Sequence, residues 1–399
     1  MTLSTDPDDF CFIDTETRSF DDTPPEYASV TDCGAYKYRH HAHVIVLTYA
    51  IGNAPVQRVA LDTGFDQPMY WKQLPLDLRQ FTNKVNAGKG WFVAWNAGFD
   101  RLMTNAQDGW IATPVDGWVD AMAQAVASNL PPSLAGASKF AGLEGKVEEG
   151  KELIRLFCSP GGATPQTHPD EWERFKHYAT VDTQELRAIW QATRPLSRAE
   201  WEVYWANEEI NDRGIAIDQP FIRAAARIAD VDRERTNEKL AEITCGKVTK
   251  VTQVKRLVDW TYDMAPHAAV RELMVKSWRD PDEADEREPE SLGLARERIE
   301  AILAFYDALE EKQDGLDDVD IRIADALDLR LWGGSATPGK FGKMLTMADG
   351  GRLRGQYVFN GAAQTLRFSS RGVQVHNLTR STLGEKEADA IELIASLED

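Results

Sequence analysis

The sequence FCFIDTETR, residues Phe10–Arg18, joins an apolar run to an Asp-x-Glu pair. Phe10–Ile13 are aromatic, β-branched or small apolar residues, which favour a buried β-strand. Because side chains alternate between the two faces of a strand, Asp14 and Glu16 share one face and Thr15 turns to the other. Two carboxylates at this spacing repel each other unless a cation lies between them. The stretch therefore predicts a strand that stops near Asp14 and presents two acids to a divalent metal. The alternative, an Asp-x-Glu pair that merely opens a surface turn, is decided by residues further along the chain.

Two later segments carry acids at comparable places. An apolar strand at residues 90–95 closes on a polar turn, and Asp100 falls in the first turn of the helix that follows. Pro169–Trp190 predicts one long helix with an acidic first turn and apolar residues at helical spacing. Tyr178 and Asp182 are four residues apart and lie on one face of it. An acid among apolar helix positions is costly to bury without a partner, which is either a metal or the Tyr178 hydroxyl.

Together these acids indicate a metal-dependent hydrolase. Carboxylate oxygens are hard ligands that select Mg²⁺ or Mn²⁺, and two such ions about 4 Å apart activate a water and stabilise the leaving oxygen of a phosphodiester. We expect Asp14 to bridge both ions. Glu16 and Asp182 would complete one ion site, and Asp100 the other. Tyr178 would orient the attacking water. The predicted catalytic set is therefore Asp14, Glu16, Asp100, Tyr178 and Asp182, with the four acids as metal ligands.

Length and composition set the class of protein. The chain has 399 residues, of which 43% are hydrophobic, so we expect two or three domains. No apolar run approaches the roughly 20 residues that cross a bilayer, and the amino terminus does not resemble a secretory signal. We therefore expect no membrane partner and a cytoplasmic location. The four cysteines are far apart and indicate neither disulfides nor zinc, so we expect them to be buried.

One segment reverses the sign of the overall charge. The net charge is −19, which argues against a protein that coats nucleic acid with its whole surface. Residues 330–380 nevertheless carry eight basic residues against one acid, Asp349. Such an asymmetry indicates a local nucleic-acid interface.

At the level of motifs the sequence resembles the proofreading 3′–5′ exonuclease superfamily. Residues 14–16 (DTE) match its first motif, residues 96–100 (NAGFD) its second and residues 178–182 (YATVD) its third. The resemblance continues into family A DNA polymerases, especially those of phages. Residues 207–218 (NEEINDRGIAID) are similar to the junction that enters the polymerase part, and residues 361–370 and 374–380 to the primer-template motif.

The resemblance implies a fold and a domain order. It implies a ribonuclease H-like α/β exonuclease domain with a mixed sheet at residues 1–194. A mainly helical thumb-like region would follow at 195–328, and a short basic β segment, the start of a palm, at 329–399. It implies binding of single-stranded DNA 3′ ends and primer-template duplex. The implied nucleic-acid-binding residues are Asn96, Lys340, Arg352, Arg354, Thr365, Arg367, Ser369, Ser370, Arg371 and Asn377.

Departures from the family pattern matter as much as the matches. Leu366 stands where the family has glycine, and Thr379 where it has proline. Nothing before Asp399 resembles the palm aspartates or the fingers helix, so this chain alone is not expected to polymerise. We expect a second chain carrying palm and fingers to cover a strand edge near Arg352–Phe359, with Leu353 among its exposed apolar residues.

Three functions remain open from the sequence. The first is a 3′–5′ exonuclease within a split or truncated family A polymerase. The second is a stand-alone exoribonuclease or oligonucleotidase, because sugar preference depends on contacts to the 2′ position. The third is a non-catalytic DNA-clamping subunit, against which the four acids argue, since unpaired buried acids cost stability.

Overall fold

The computed structural model describes residues 3–66, 69–107, 110, 112–143, 149–278, 289–311, 315–334, 338–378 and 384–397. Its strands are Phe10–Ser19 (β1), Ala42–Ile51 (β2), Gln57–Ala60 (β3), Trp91–Ala94 (β4), Trp118–Asp120 (β5), Ile215–Ala216 (β6), Val275–Trp278 (β7), Pro289–Leu292 (β8), Ala348–Asp349 (β9), Arg352–Leu353 (β10), Tyr357–Ala362 (β11) and Arg367–Ser370 (β12). Its helices are Val30–Cys33 (α1), Ala35–Tyr38 (α2), Leu76–Asn86 (α3), Gly98–Ala106 (α4), Ala121–Ala127 (α5), Leu134–Phe140 (α6), Gly150–Cys158 (α7), Pro169–Ala192 (α8), Arg198–Arg213 (α9), Gln219–Ile243 (α10), Val254–Met264 (α11), Ala268–Met274 (α12), Arg296–Glu310 (α13), Asp318–Gly333 (α14), Gly339–Met347 (α15) and Glu387–Ala395 (α16).

The chain forms two compact units that are not contiguous in sequence. The first unit combines residues 1–219 with residues 343–380, and the second combines 220–342 with 381–399. This division differs from the three predicted domains, because the basic segment is shared between both units. Thr379 and Arg380 lie outside the described residues, as do residues 279–288.

A mixed five-stranded sheet forms the centre of the first unit, as predicted. Its order is β3-β2-β1-β4-β5, with β1, β2 and β3 antiparallel and β1, β4 and β5 parallel. The sheet is covered on both faces: Cys11 and Ile13 pack into one buried cluster, while Phe10 and Phe12 pack into another that includes Leu186 of α8. Burial on both faces explains why β1 begins with a continuous apolar run.

Strand β1 does not stop at Asp14, and that prediction is wrong. It continues to Ser19, because β2 pairs with it from Cys11 through Ser19, with a register shift between Glu16 and Thr17. The parallel neighbour β4 pairs only with Phe10–Phe12. Asp14 and Glu16 therefore lie within a strand, at the point where one of its two neighbours has ended.

The predicted long helix is confirmed, and one smaller expectation is wrong. Helix α8 spans Pro169–Ala192 with a proline and two acids in its first turn. Helix α2, Ala35–Tyr38, follows a turn at Gly34 (φ 77°) and buries Tyr36 and Tyr38. Cys245, which was expected to be buried, is exposed.

The returning segment, residues 343–380, packs within the first unit. Strand β10 lies between β6 and β9, and Leu353 is buried at 1% exposure, so the expected open strand edge at Leu353 is absent from the described residues. The side chain of Asn211 on α9 donates to the Tyr357 carbonyl at 2.8 Å and accepts from the Tyr357 N–H at 2.9 Å. These bonds complete the backbone pairing of one end of β11 and attach it to α9.

The second unit is mainly helical, as expected for the region after residue 195. Its core contains Leu257, Trp260, Ile302 and Tyr306 from helices α11 and α13, with Leu327 from α14. A short antiparallel hairpin, β7 with β8, accompanies the helices. Of the helices in the described part of the chain, none is long and apolar enough to cross a membrane.

Candidate active site

Asp14 and Glu16 lie on the face of the sheet that α8 covers. They continue the alternation of Phe10 and Phe12, which pack toward that helix. Asp14 is paired with Thr48 of β2 in the strand register. Both carboxylates keep part of their surface accessible to solvent. Both carboxylates can therefore be reached from solvent.

Asp100 contacts β1 just beyond the residues that pair with β4. Its Oδ1 atom accepts hydrogen bonds from the Thr15 N–H at 3.0 Å and from the Thr15 hydroxyl at 2.7 Å. The Thr15 N–H, which β4 does not pair, is therefore hydrogen-bonded to the Asp100 carboxylate in the first turn of α4. Asp100 is only 3% exposed. The residue between the two acids of β1 therefore fixes the third acid.

Asp182 lies on α8. Next to it, the Thr183 hydroxyl lies 2.6 Å from the hydroxyl of Thr48, the register partner of Asp14. This contact fixes the helix against β2 at the level of the acids. The Tyr178 hydroxyl donates to the Asp182 carboxylate one turn away, as their spacing predicted.

The charges of the four acids act on one another. Burial raises the pKa of Asp14 well above its usual range, and the neighbouring charges of Glu16, Asp100 and Asp182 raise it further. Burial and then the charges of Asp182 and Asp100 raise the pKa of Glu16 to about 8. Burial raises the pKa of Asp100 to about 7 even though the hydrogen bonds from Thr15 oppose it. The sequence prediction that these acids converge is consistent with this mutual repulsion.

This donor set fits hard divalent cations. The acids supply oxygen ligands, and burial and mutual repulsion raise the pKa values of Asp14 and Glu16, which a bound cation would oppose. Among the described residues, no three His, Cys, Asp or Glu side chains already lie at the spacing of a metal site. The acids lie close enough for their charges to interact, but they do not have the spacing of a ligand cage. Asp14, Glu16, Asp100 and Asp182 are the residues that would hold the ions.

Helix α7 packs against Tyr178. A Cβ atom at Gly150, the first residue of α7, would lie 2.6 Å from the Tyr178 ring, so only glycine fits there. Arg18 fixes the other end of α7, donating to the carbonyl oxygens of Phe157 at 2.9 Å and Ala163 at 3.0 Å. Sequence reasoning assigned no role to Gly150 or Arg18, although Arg18 ends the opening motif.

A fifth acid, Asp120, escaped the sequence analysis. Its Oδ1 atom accepts from the Asn96 N–H and from the Met122 N–H, both at 2.9 Å, and it caps the amino terminus of α5. Burial raises its pKa to about 7. The signal in the sequence was an acid at the end of a short apolar stretch before a helix.

The ten residues implied to bind nucleic acid are divided between the two units. Lys340 belongs to the second unit, and the other nine to the first. Arg367 and Thr365 are exposed, whereas Ser369 and Ser370 are partly buried, at the hairpin of β11 and β12. Leu366 between them adopts a left-handed φ of 54°, a conformation that favours the glycine of the family pattern. The side chain of Asn377 donates to Gln374 Oε1 at 3.3 Å.

Two of the arginines make contacts within the protein, and their binding to nucleic acid stays a prediction. Arg352 donates to the carbonyl oxygens of Arg213 at 2.5 Å and Gly214 at 2.9 Å. Arg354 lies 3.4 Å from the carboxylate of Asp349. These contacts indicate that Arg352 and Arg354 stabilise the returning segment.

No family model matches the chain. Over 384 residues it is 25% identical to the DNA polymerase of Bacillus phage SP02, a match that covers 92% of this chain and 52% of the relative. The chain is homologous to a phage DNA polymerase. It spans about half the length of that relative. This homology relates the chain to DNA polymerases without assigning it the activities of the whole relative.

Among solved structures, one similar chain is the POL domain of Pol1 from M. smegmatis in complex with DNA primer-template and dNTP. The TM-score is 0.42 at 14% identity, and the match covers 86% of this chain and 51% of that one. A similarity at this level carries no argument about function.

Proposed function

We propose that this chain is a metal-dependent 3′–5′ exonuclease that hydrolyses phosphodiesters at single-stranded DNA 3′ ends, as the proofreading part of a polymerase-related protein. The observation that carries the proposal is the convergence of Asp14, Glu16, Asp100 and Asp182 from three elements, with Tyr178 hydrogen-bonded to Asp182. The sheet order β3-β2-β1-β4-β5 supports the ribonuclease H-like assignment. Homology to a phage DNA polymerase favours a DNA substrate.

Each residue has a defined part in this chemistry. Two Mg²⁺ or Mn²⁺ ions, when bound, supply an activated water and stabilise the leaving 3′ oxygen. Asp14 and Glu16 bind from the strand, and Asp182 from the helix. Asp100 is held in one orientation by Thr15, so it binds with little loss of side-chain freedom. The Tyr178 hydroxyl, fixed on Asp182, orients the water for attack on the phosphorus atom.

The returning segment suits a duplex next to this site. Arg367 and Arg371 are exposed there, and the hairpin carrying Arg367 projects its side chain to solvent. We propose that these arginines bind the backbone phosphates of primer-template DNA. A second chain that carries palm and fingers remains a prediction, tested by co-expression, sizing and primer extension.

The decisive experiment uses a 5′-labelled single strand of DNA with Mg²⁺ or Mn²⁺ and resolves the products on a gel. We expect a ladder that shortens from the 3′ end, and none with Asp14→Ala. A matched RNA strand distinguishes the exoribonuclease alternative by its relative rate. A wild-type chain that binds DNA and Mn²⁺ but cleaves neither strand would support the clamping subunit instead.

A further inference from the structure

Asn96 is held in an unusual conformation at the entrance to α4. Its φ of 61° places it in the left-handed region, which is uncommon for residues other than glycine. Two residues later α4 begins, and Asp100 lies in its first turn. The orientation of this turn therefore decides where the Asp100 carboxylate lies.

Two side chains hold Asn96, one through its backbone and one through its amide. Asp120 accepts the Asn96 N–H at 2.9 Å. Both terminal nitrogens of Arg371 donate to Asn96 Oδ1, each at 3.4 Å. Asp120 is 5% exposed, so its bond to the Asn96 N–H is protected from solvent. Arg371 is exposed, so another acceptor can compete with Asn96 Oδ1 for its guanidinium.

Arg371 reaches Asn96 from the returning segment, 275 residues further along the chain. Its backbone is fixed there, because the Arg371 N–H donates to the Gln356 carbonyl at 3.0 Å. The Val373 N–H in turn donates to Gln356 Oε1 at 3.1 Å. All of these residues belong to the first unit. The guanidinium is thus presented to Asn96 by a well-anchored loop.

We propose that Arg371 is a positioning residue of the exonuclease site, holding the turn at Asn96 from the same segment that binds duplex, so that Asn96 and a duplex phosphate compete for one guanidinium. This inference rests on the proposed function. The two bonds to Asn96 are long for N–H···O contacts, whereas a phosphate accepts two short charge-assisted bonds from arginine. Duplex DNA therefore withdraws Arg371 from Asn96, loosens the start of α4 and slows hydrolysis.

Steady-state hydrolysis of a labelled single strand tests the positioning role. Arg371→Gln and Asn96→Ala are each expected to lower kcat about three- to tenfold, the range for one lost hydrogen-bonded contact, with little change in KM. The double variant should lose no more than the worse single variant, because both remove the same contact. Losses that multiply would overturn the proposal. Arg58→Gln, a surface arginine that pairs with Glu173 at 3.6 Å, is the matched control and keeps the wild-type rate.

A closed dumbbell duplex without 3′ ends tests the competition. At saturating single strand it should lower kcat of the wild-type chain several-fold and leave kcat of Arg371→Gln unchanged. A dumbbell that only raises KM, and does so equally in both proteins, binds at the same place as the single strand and contradicts the proposal.

Amide hydrogen exchange gives a readout that needs no hydrolysis. Exchange over residues 95–101 should be faster in Arg371→Gln than in the wild-type chain, and faster in the wild-type chain when the dumbbell is bound. If the enzyme is active and amide exchange is unchanged, the proposed role of Arg371 is refuted and the proposed function is not. A wild-type chain without hydrolysis would refute the proposed function, and exchange would still decide whether Arg371 holds the turn.

Discussion

Asp14 illustrates, at the scale of one residue, how a catalytic group costs stability. Burial and three neighbouring acids disfavour its charged form. We expect Asp14→Asn to lower hydrolysis by at least about 10³-fold, because a carboxylate that would hold the ions is lost. The same change should leave the melting temperature of the metal-free protein unchanged or higher, because one repelling charge is gone. Rate measurements and thermal melts with and without Mn²⁺ check both parts. Near-normal cleavage would contradict the two-metal assignment.

Tyr178 is expected to act on the water and not on the metal. Tyr178→Phe should keep Mn²⁺ binding, measured by calorimetry, and slow hydrolysis by up to about 10²–10⁴-fold, the range for positioned proton-transfer groups. An unchanged rate would reduce Tyr178 to a packing residue.

Gly150 provides an independent test of the position of Tyr178. A methyl group there would meet the Tyr178 ring at 2.6 Å, so Gly150→Ala should displace the ring and slow hydrolysis much as Tyr178→Phe does. Gly339→Ala, where the added carbon meets nothing within 4 Å, is the matched control. Equal rates for the Gly150 variant and this control would show that the tyrosine position is unimportant.

The acids also predict how stability depends on pH. The pKa values of Glu16, about 8, and Asp100, about 7, lie above the ordinary values of 4.5 and 3.8. From about pH 4 to about 8 the folded chain still holds protons that the unfolded chain has already lost, so the free energy of unfolding falls as pH rises, and the fall levels off above the folded pKa values. Each group contributes a slope of at most about 1.4 kcal/mol per pH unit. Thermal melts of the metal-free protein should show this fall, and Glu16→Gln should make it shallower. Mn²⁺ should reverse it, and a flat profile without metal would show that the acids do not repel.

Two arginines on neighbouring elements, Arg367 on β12 and Arg352 on β10, are expected to have different roles. Arg367 is exposed on β12, so Arg367→Gln should weaken duplex binding at every sequence and reduce the salt slope by about 1. Arg352 bonds to backbone carbonyls beside β6, so Arg352→Gln should lower the melting temperature and leave the salt slope nearly unchanged. Filter binding across a salt series distinguishes them. If Arg352→Gln reduced the salt slope more than Arg367→Gln does, the two assignments would be reversed.

Strong local patterns made some elements predictable from the sequence. The acidic first turn and the regular apolar spacing of Pro169–Trp190 determine a helix without help from the rest of the fold. Asp14, Glu16, Asp100 and Asp182 could be grouped because each stands where an apolar element meets a polar residue type that is costly to bury. The length of β1 could not be predicted, because it is set by β2, which continues the pairing past Asp14.

Other features depend on contacts between distant residues. The burial of Leu353 follows from pairing with Ile215, and the role of Asp120 follows from its bond to the Asn96 N–H. The engagement of Arg352 with Arg213 has the same origin. No local pattern records such pairs, so a single sequence gives a residue type at these positions and not its partner.

At the scale of the whole molecule, two separate cores predict two unfolding events. One core surrounds the mixed sheet, and the other lies among the helices of residues 240–327. We expect calorimetry to resolve two transitions. Mn²⁺ should raise only the transition of the first unit, because all four acids lie there. Asp14→Asn should abolish that selective rise. A single transition that shifts as a whole would mean that the units unfold together.

The interrupted order of the first unit also affects how the protein is made. Strands β1 to β5 leave the ribosome long before residues 343–380, which complete that unit, and the whole of 220–342 must be synthesised in between. At roughly 5–20 residues per second, synthesis of residues 220–342 takes about 6 to 25 seconds. During that time the nascent chain exposes the surface of α9 that later receives β11, including Asn211 with its amide unpaired to Tyr357. We therefore expect chaperones to bind the nascent chain at this stage. We also expect slower maturation when translation pauses within residues 220–342.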